Sequence, residues 1–216
     1  MPSLNVNEAK VSVVLLTKNS AENVGKSLKS IFGQTRKPDE VVVVDGNSTD
    51  GTLDVVNQYP VKLVTESGLG FGHARNLGVK NAEGDIIFFI DSDCFAEPPW
   101  IEKILPHFND SEIAGVTGPT RLWNTSHGVA RFLACVGGRM NMPTKRGFVK
   151  IAPTMNLAIR RDVVLKVSGF DETLVRGEDT ELTYKVNQCG KILYEPEAVV
   201  WFRGSPTLRI ASKKCV

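Results

Sequence analysis

The chain has 216 residues, a length suited to one large domain, and its 42% hydrophobic and 23% charged content is that of folded globular material. A formal net charge of +2 is too small to argue for a nucleic-acid partner. No apolar stretch approaches the roughly 20 residues of a membrane-spanning helix, and the N-terminus Met-Pro-Ser-Leu-Asn-Val-Asn-Glu lacks the basic and apolar regions of a signal peptide, so a cytoplasmic location is expected.

In chain order, Val11–Leu16 reads as a first buried strand, and Val24, Leu28, Ile31 and Phe32 recur at helical spacing over 23–32. Val41–Val44 is a second strand, ended by the turn formers Asp45-Gly46-Asn47-Ser48. A short helix is predicted over 51–58, a third strand over 61–65, and a loop with Gly68, Gly70 and Gly72 leads into a helix over 74–82. The apolar run Asp85–Ile90 is a further buried strand, followed by a helix near 98–108 with prolines at its start. From 122 to 149 the pattern weakens. Order resumes at 155–159, with helices predicted over 162–167 and 178–189 and strands over 192–194 and 199–202. Strands alternating with helices, each strand a continuous apolar run, predict an α/β chain with a doubly wound, mostly parallel central sheet.

The most informative residues follow the strand at 85–90. Asp91-Ser92-Asp93 puts two carboxylates at the C-terminal end of a buried strand, where ligands bind in an open α/β sheet. Hard oxygen donors suit Mg²⁺ or Mn²⁺, and these ions suit a nucleotide diphosphate. Asp45 shares that sheet edge if the strands are parallel, and fits either a turn or a hydrogen-bond acceptor for a base or ribose. Arg75, just inside the helix after the Gly-rich loop, is placed to reach a nucleotide phosphate or base. That loop lacks the Lys-Ser/Thr of a P-loop and misses the dinucleotide fingerprint by one residue. Gly177-Glu178-Asp179 opens a predicted helix, where carboxylates serve either as caps or as a general base.

The four cysteines (Cys94, Cys135, Cys189 and Cys215) contain no CxxC pair, so neither a zinc site nor a disulfide framework is expected, and Cys94 is read as a buried structural thiol. His73, His107 and His127 show no metal-ligand spacing, and the glycosylation-like triplets at Asn47, Asn109 and Asn124 are read as chance matches.

The motifs together resemble those of family 2 glycosyltransferases, which have the GT-A fold. They run through Val-Val-Leu-Leu-Thr17-Lys-Asn19, Asp45-Gly-Asn-Ser-Thr-Asp50-Gly-Thr, Ala74-Arg75-Asn76-Leu-Gly78 and Ile-Asp91-Ser92-Asp93. They continue with Met155-Asn156-Leu-Ala-Ile-Arg160-Arg161, Gly169-Phe170-Asp171-Glu172, Gly177-Glu178-Asp179-Thr180-Glu181 and Tyr194-Glu-Pro196-Glu197. The resemblance covers about residues 11–203 and implies one GT-A domain over 1–216. Its nucleotide-binding half would span about 11–119 and its acceptor-side half about 120–203, with an interfacial tail at 204–216.

By that resemblance Thr17, Asp45, Arg75 and Asp91 bind the nucleotide sugar, Asp93 with Asp91 holds Mn²⁺ or Mg²⁺, Asp179 is the catalytic base, and Glu178 stands beside it. The implied activity is inverting transfer from a UDP- or GDP-sugar to a hydroxyl or phosphate of a glycan or lipid-linked acceptor, by metal-assisted single displacement with a carboxylate base. The alternatives are a non-catalytic nucleotide-sugar binding module and a sugar nucleotidyltransferase.

Two positions depart from the family pattern. Many relatives carry a second aspartate where this chain has Gly46, and often a histidine where this chain reads Val200-Trp201-Phe202-Arg203, with Arg203 as an electrostatic substitute. Lys145, Arg146 and Lys150 form a basic cluster that reads either as a solvated loop or as an attractor for a phosphorylated or lipid-linked acceptor. The basic tail after Pro206 suits peripheral membrane contact.

Overall fold

The structure, a computed structural model, describes residues 1, 4–123, 128 and 143–204. In chain order the strands and helices are β1 (Val11–Thr17), α1 (Val24–Phe32), β2 (Glu40–Asp45), α2 (Thr52–Val56), β3 (Lys62–Thr65), α3 (Phe71–Asn81), β4 (Ile86–Asp91) and β5 (Cys94–Ala96). Then come α4 (Trp100–Ile104), β6 (Ile113–Thr117), β7 (Thr120–Leu122), β8 (Gly147–Val149), β9 (Leu157–Arg160), α5 (Arg161–Lys166), α6 (Glu178–Val186), β10 (Lys191–Tyr194) and β11 (Val200–Phe202). Arg131, Arg139, Cys135, Cys215, His127, Asn124 and the tail from 205 onward lie outside the described residues.

Eight strands form one sheet in the order β3-β2-β1-β4-β9-β6-β10-β8, and β5, β11 and β7 form a small second sheet. The large sheet is mostly parallel, as expected. Among the described strands of this sheet, only β9, between β4 and β6, and β8 run antiparallel to their neighbours. Along β1, Val13 and Leu15 join the core on one face with Leu28, Ile31 and Trp100, while Val14 and Leu16 join the other with Val44, Val79 and Phe89. The period-two alternation of strand side chains thus explains a continuous apolar run: both faces are covered. The edge strand β3 is the exception, since Leu63 is exposed.

The predicted helix over 98–108 is α4 followed by a 3-10 segment, Leu105–Asn109. Pro106 lacks the N–H that an α-helical hydrogen bond needs, and the coil tightens there. The strands β5, β6, β7 and β8 were not anticipated, because each is short or interrupted by small residues.

Two residues of the C-terminal motifs prove to be structural anchors. The buried Asn156 accepts a hydrogen bond from Trp100 Nε1 (2.8 Å) and donates to the carbonyls of Pro119 (3.0 Å) and Ala198 (2.9 Å). Arg160 donates to the carbonyls of Ile113 (2.8 Å), Phe108 (2.5 Å) and Asp110 (3.2 Å), and burial lowers its pKa.

Helix α3 lies against β1 and β2 through Gly78. A Cβ there would stand 2.4 Å from Val14 Cγ1, whose residue is fully buried. Gly78→Ala is expected to cost about 1–3 kcal/mol by overpacking. Thermal unfolding reads this as a fall of about 2–4 °C per kcal/mol in a chain of this size; an unchanged melting temperature would mean that α3 seats less closely.

Candidate active site

The order β3-β2-β1-β4 turns back on itself between β1 and β4, the switch point at which an open α/β sheet forms a crevice at its carboxyl edge. The register aligns Thr17 of β1 with Asp45 of β2 and Leu16 of β1 with Asp91 of β4. Asp45 and Asp91 therefore share that edge, as expected for parallel strands, and Thr17 joins them there.

Asp45 is fully buried and builds a turn: its carboxylate accepts from the Ser48 backbone N–H (2.8 Å) and the Ser48 hydroxyl (2.5 Å). The Ser48 hydroxyl in turn accepts from the Asn19 N–H (2.8 Å), tying the loop after β2 to the loop after β1. Beside it the hydroxyl of Thr17 is buried and has no hydrogen-bond partner among the described residues. An unmet buried hydroxyl costs free energy, and one at a ligand edge is suited to a partner that arrives with substrate.

The turn from β4 to β5 carries Asp91-Ser92-Asp93-Cys94. Ser92 points inward: its hydroxyl donates to Ser20 Oγ (2.8 Å) and its N–H to the Leu16 carbonyl (3.0 Å). The flanking Asp91 and Asp93 are half-buried, and their carboxylate oxygens lie with Cys94 Sγ within 4.8 Å of one another. Two adjacent carboxylates with access to solvent fit a hard divalent ion such as Mn²⁺ or Mg²⁺. Cys94 is fully buried and its soft sulfur suits neither ion, in keeping with a structural thiol.

Arg75, on α3, joins the two acidic motifs. Its guanidinium donates to Glu178 Oε1 (2.5 Å) and lies 3.7 Å from Asp91 Oδ1, with the rings of Phe71 and Phe170 flanking it at 5.5 and 5.7 Å. Arg75 and Glu178 are both buried, so the pair is shielded from water. The guanidinium expected to face the nucleotide is thus engaged by carboxylates from β4 and α6. Asn76, one residue on, holds the same segment: it donates to the Phe170 carbonyl (2.9 Å) and to Glu172 (2.8 Å), and accepts from the Phe170 N–H (2.8 Å).

Gly177, with φ of +84°, takes the left-handed conformation that starts α6, and Glu178 and Asp179 occupy its first turn. Asp179 is half-buried and accepts from the neighbouring Thr180 N–H (2.8 Å), while Glu178 is taken up by Arg75, so neither carboxylate caps the helix from the N-cap position, which Gly177 holds.

Beyond β11, the Arg203 N–H donates to the Asp93 carbonyl (2.9 Å), and the Arg203 side chain donates to Asn23 Oδ1 (2.7 Å). Lys26, on α1, rests its ammonium on Phe95 and Trp123, 3.8 and 4.0 Å from the ring centroids. Sequence reasoning passed over Lys26 and Trp123. Lys26 reads as one of several polar positions on an amphipathic helix, and Trp123 carries no motif.

The basic cluster is partly neutralised. Arg146 pairs with Glu195 at 2.6 Å, and the same buried carboxylate contacts His107 at 2.8 Å. Lys145 and Lys150 are exposed. Among the described residues no helix is long and apolar enough to cross a membrane.

A family model for glycosyl transferase family 2 matches residues 12–168. Among curated proteins, the glycosyltransferase AglE of Haloferax volcanii is 30% identical over 188 residues, covering 83% of this chain and 62% of that protein. Among solved structures, the mannosyltransferase PcManGT from Pyrobaculum calidifontis in complex with GDP-Man and Mn²⁺ superposes with a TM-score of 0.76. It is 22% identical, over 96% of this chain and 60% of the other. S. aureus TarS 1–349 in complex with UDP-GlcNAc superposes at 0.74 with 24% identity, over 94% and 61%. The chain spans less than two thirds of the length of each of these three.

Proposed function

The chain belongs to glycosyl transferase family 2, and we propose that it transfers a sugar from a nucleoside-diphosphate sugar to an acceptor hydroxyl by single displacement with inversion. The observation that carries this reading is Arg75, which contacts Asp91 at the sheet edge and Glu178 at the start of α6. It joins a carboxylate edge suited to a metal diphosphate to a second carboxylate pair far along the chain.

In this reading the Thr17 edge receives the base and ribose, and the buried Thr17 hydroxyl gains its missing partner, while Asp45 shapes that edge through its turn with Ser48. Arg75 fixes Asp91 toward the donor sugar, and Asp91 and Asp93 are the residues that would hold Mn²⁺ or Mg²⁺. When bound, such an ion supplies Lewis-acid neutralisation of the departing diphosphate.

Asp179 takes the proton from the acceptor hydroxyl as its oxygen attacks the anomeric carbon. The bond from that carbon to the diphosphate breaks, and its electron pair leaves on the phosphate oxygen. A sugar hydroxyl is a weak nucleophile near neutral pH, which is why a positioned base matters. Glu178, held by Arg75, positions the helix start rather than accepting a proton.

The Mn²⁺ and GDP-Man of PcManGT and the UDP-GlcNAc of TarS support a divalent ion and a UDP or GDP donor. Calorimetric titration of UDP, GDP, CDP and dTDP, each with and without Mn²⁺, tests the proposal. One nucleotide is expected to bind with an Mn²⁺-dependent increment; four titrations without metal dependence would contradict the donor site.

A further inference from the structure

Three residues near the start of α3 hold the segment that leads to Glu178 and Asp179. His73 Nδ1 lies 2.8 Å from Glu172 Oε2, and Asn76 donates to Glu172 Oε1 (2.8 Å) and to the Phe170 carbonyl (2.9 Å). Arg75 holds the far end of the segment through Glu178. The packing between helix and segment is direct, because a Cβ on Gly72 would stand 2.8 Å from the Asp171 carbonyl oxygen.

Between these two grips the chain from 173 to 177 is largely exposed, with Val175 at 77%. Its side-chain support is local: the Asp171 carboxylate accepts from the Thr173 N–H (2.9 Å) and the Thr173 hydroxyl (2.7 Å). The start of α6 is therefore tied to α3 at Glu172 and at Glu178, with little support along the loop between them.

The three grips differ in how they answer to protons. Arg75 is charged at every working pH, and Asn76 never is. Histidine is the side chain whose ordinary charge change falls between about pH 5 and pH 8. The other charged groups around the contact are already engaged. Asp171 is turned to Thr173 and feels Lys185, which pairs with Glu181; Glu66 accepts from the Leu69 N–H in the loop before α3; and Arg75 is paired with Glu178. Hydrogen bonds from Asn76 and His73, together with the His73 charge, lower the Glu172 pKa, so this carboxylate stays ionised while a histidine titrates.

Resting on the reading of Asp179 as the base, we propose that His73 is a proton-responsive positioning residue: as imidazolium it clamps Glu172, and with it the start of α6, onto α3. A charge-assisted hydrogen bond is roughly twice as strong as a neutral one, so the clamp loosens as His73 loses its proton. The pair is part-exposed, 26% for His73 and 47% for Glu172, which keeps the effect modest and weakens it in salt.

Amide hydrogen exchange by NMR between about pH 5.5 and pH 8, with each rate expressed against that of an unstructured peptide, tests the clamp. Thr173 reports the loop, and Glu181, whose N–H donates to the Gly177 carbonyl at 2.9 Å, reports the start of α6. In the wild type, protection at both is expected to fall about two- to fivefold as pH rises, the scale of a half-exposed ion pair. His73→Gln should show the low value throughout, and the charge-keeping His73→Lys the high value throughout. The other histidines are the same in all three proteins, so their titration cancels, and melting curves show that each variant is folded.

Protection that ignores pH in the wild type, or an equal pH response in His73→Gln, would overturn the proposal. A response at Thr173 that does not reach Glu181 would also overturn it, since His73 would then hold the loop without positioning the base. Exchange needs neither nucleotide nor turnover. Failure here leaves the donor site and the base standing, whereas wild-type transfer by Asp179→Asn would remove the base and leave the clamp measurable.

Discussion

Asp179→Asn is expected to lower the rate of sugar transfer by about 10²–10⁴-fold, the range typical of a lost general base, while nucleotide binding and melting temperature stay near their wild-type values. The asparagine side chain has almost the same shape, and its carbonyl oxygen can still accept the Thr180 N–H that Asp179 accepts at 2.8 Å. What it cannot do is take a proton. The variant therefore separates the local Thr180 contact from the proton transfer at the same side chain. Steady-state transfer kinetics beside nucleotide calorimetry make the comparison. Transfer at the wild-type rate would remove Asp179 from the reaction.

The largest stability effect is expected at Arg75. Arg75→Ala leaves Glu178 buried without the guanidinium that now contacts it at 2.5 Å, and removes the charge beside Asp91. Breaking a buried ion pair from one side costs about 3–5 kcal/mol, because the remaining charge stays desolvated. For a chain of this length that corresponds to a fall of about 10 °C in melting temperature.

The double variant Arg75→Ala, Glu178→Gln provides the internal check. Removing the stranded charge should recover part of the loss, a non-additivity expected of residues in contact. Arg75→Lys should also be impaired, since one ammonium cannot reproduce the planar fork that serves two carboxylates. Strictly additive losses in the double variant would show that the two residues are not energetically paired.

Much of this architecture is legible in the sequence because it rests on hydrophobic pattern. Val41–Val44 and Ile86–Ile90 are apolar without interruption and Val11–Leu16 is broken by Ser12 alone, and each is a strand covered on both faces. The strands that escaped notice lack that signal. β6 reads Ile-Ala-Gly-Val-Thr, with small residues at its centre, and β5, β7 and β8 have three residues each, too few for a period to show. The antiparallel insertion of β9 between β4 and β6 is a choice made by tertiary packing, and local propensity does not record it.

The same division runs through the site. Asp91 and Asp93 were legible because an acidic pair ends an apolar strand. The tie from Arg75 to Glu178 was not, since 103 residues separate them and nothing local to either announces the other. Asp45 left two readings open in the sequence. The structure shows the turn, with Ser48 as the donor, and places the buried Thr17 hydroxyl at the same edge. Lys26 is the extreme case: an ordinary helix lysine in one dimension, and a wall of a pocket beside Asp93 in three.

If the Asp91–Asp93 edge holds a metal-bound nucleoside diphosphate, as proposed, Asp93 is needed for the metal-dependent part of nucleotide binding. The nucleotide that shows an Mn²⁺-dependent increment is titrated into the wild type and into Asp93→Ala, each with Mn²⁺ and with EDTA. The increment is expected to disappear in Asp93→Ala while the variant remains folded by its melting curve. An increment of equal size in both proteins would contradict the proposal.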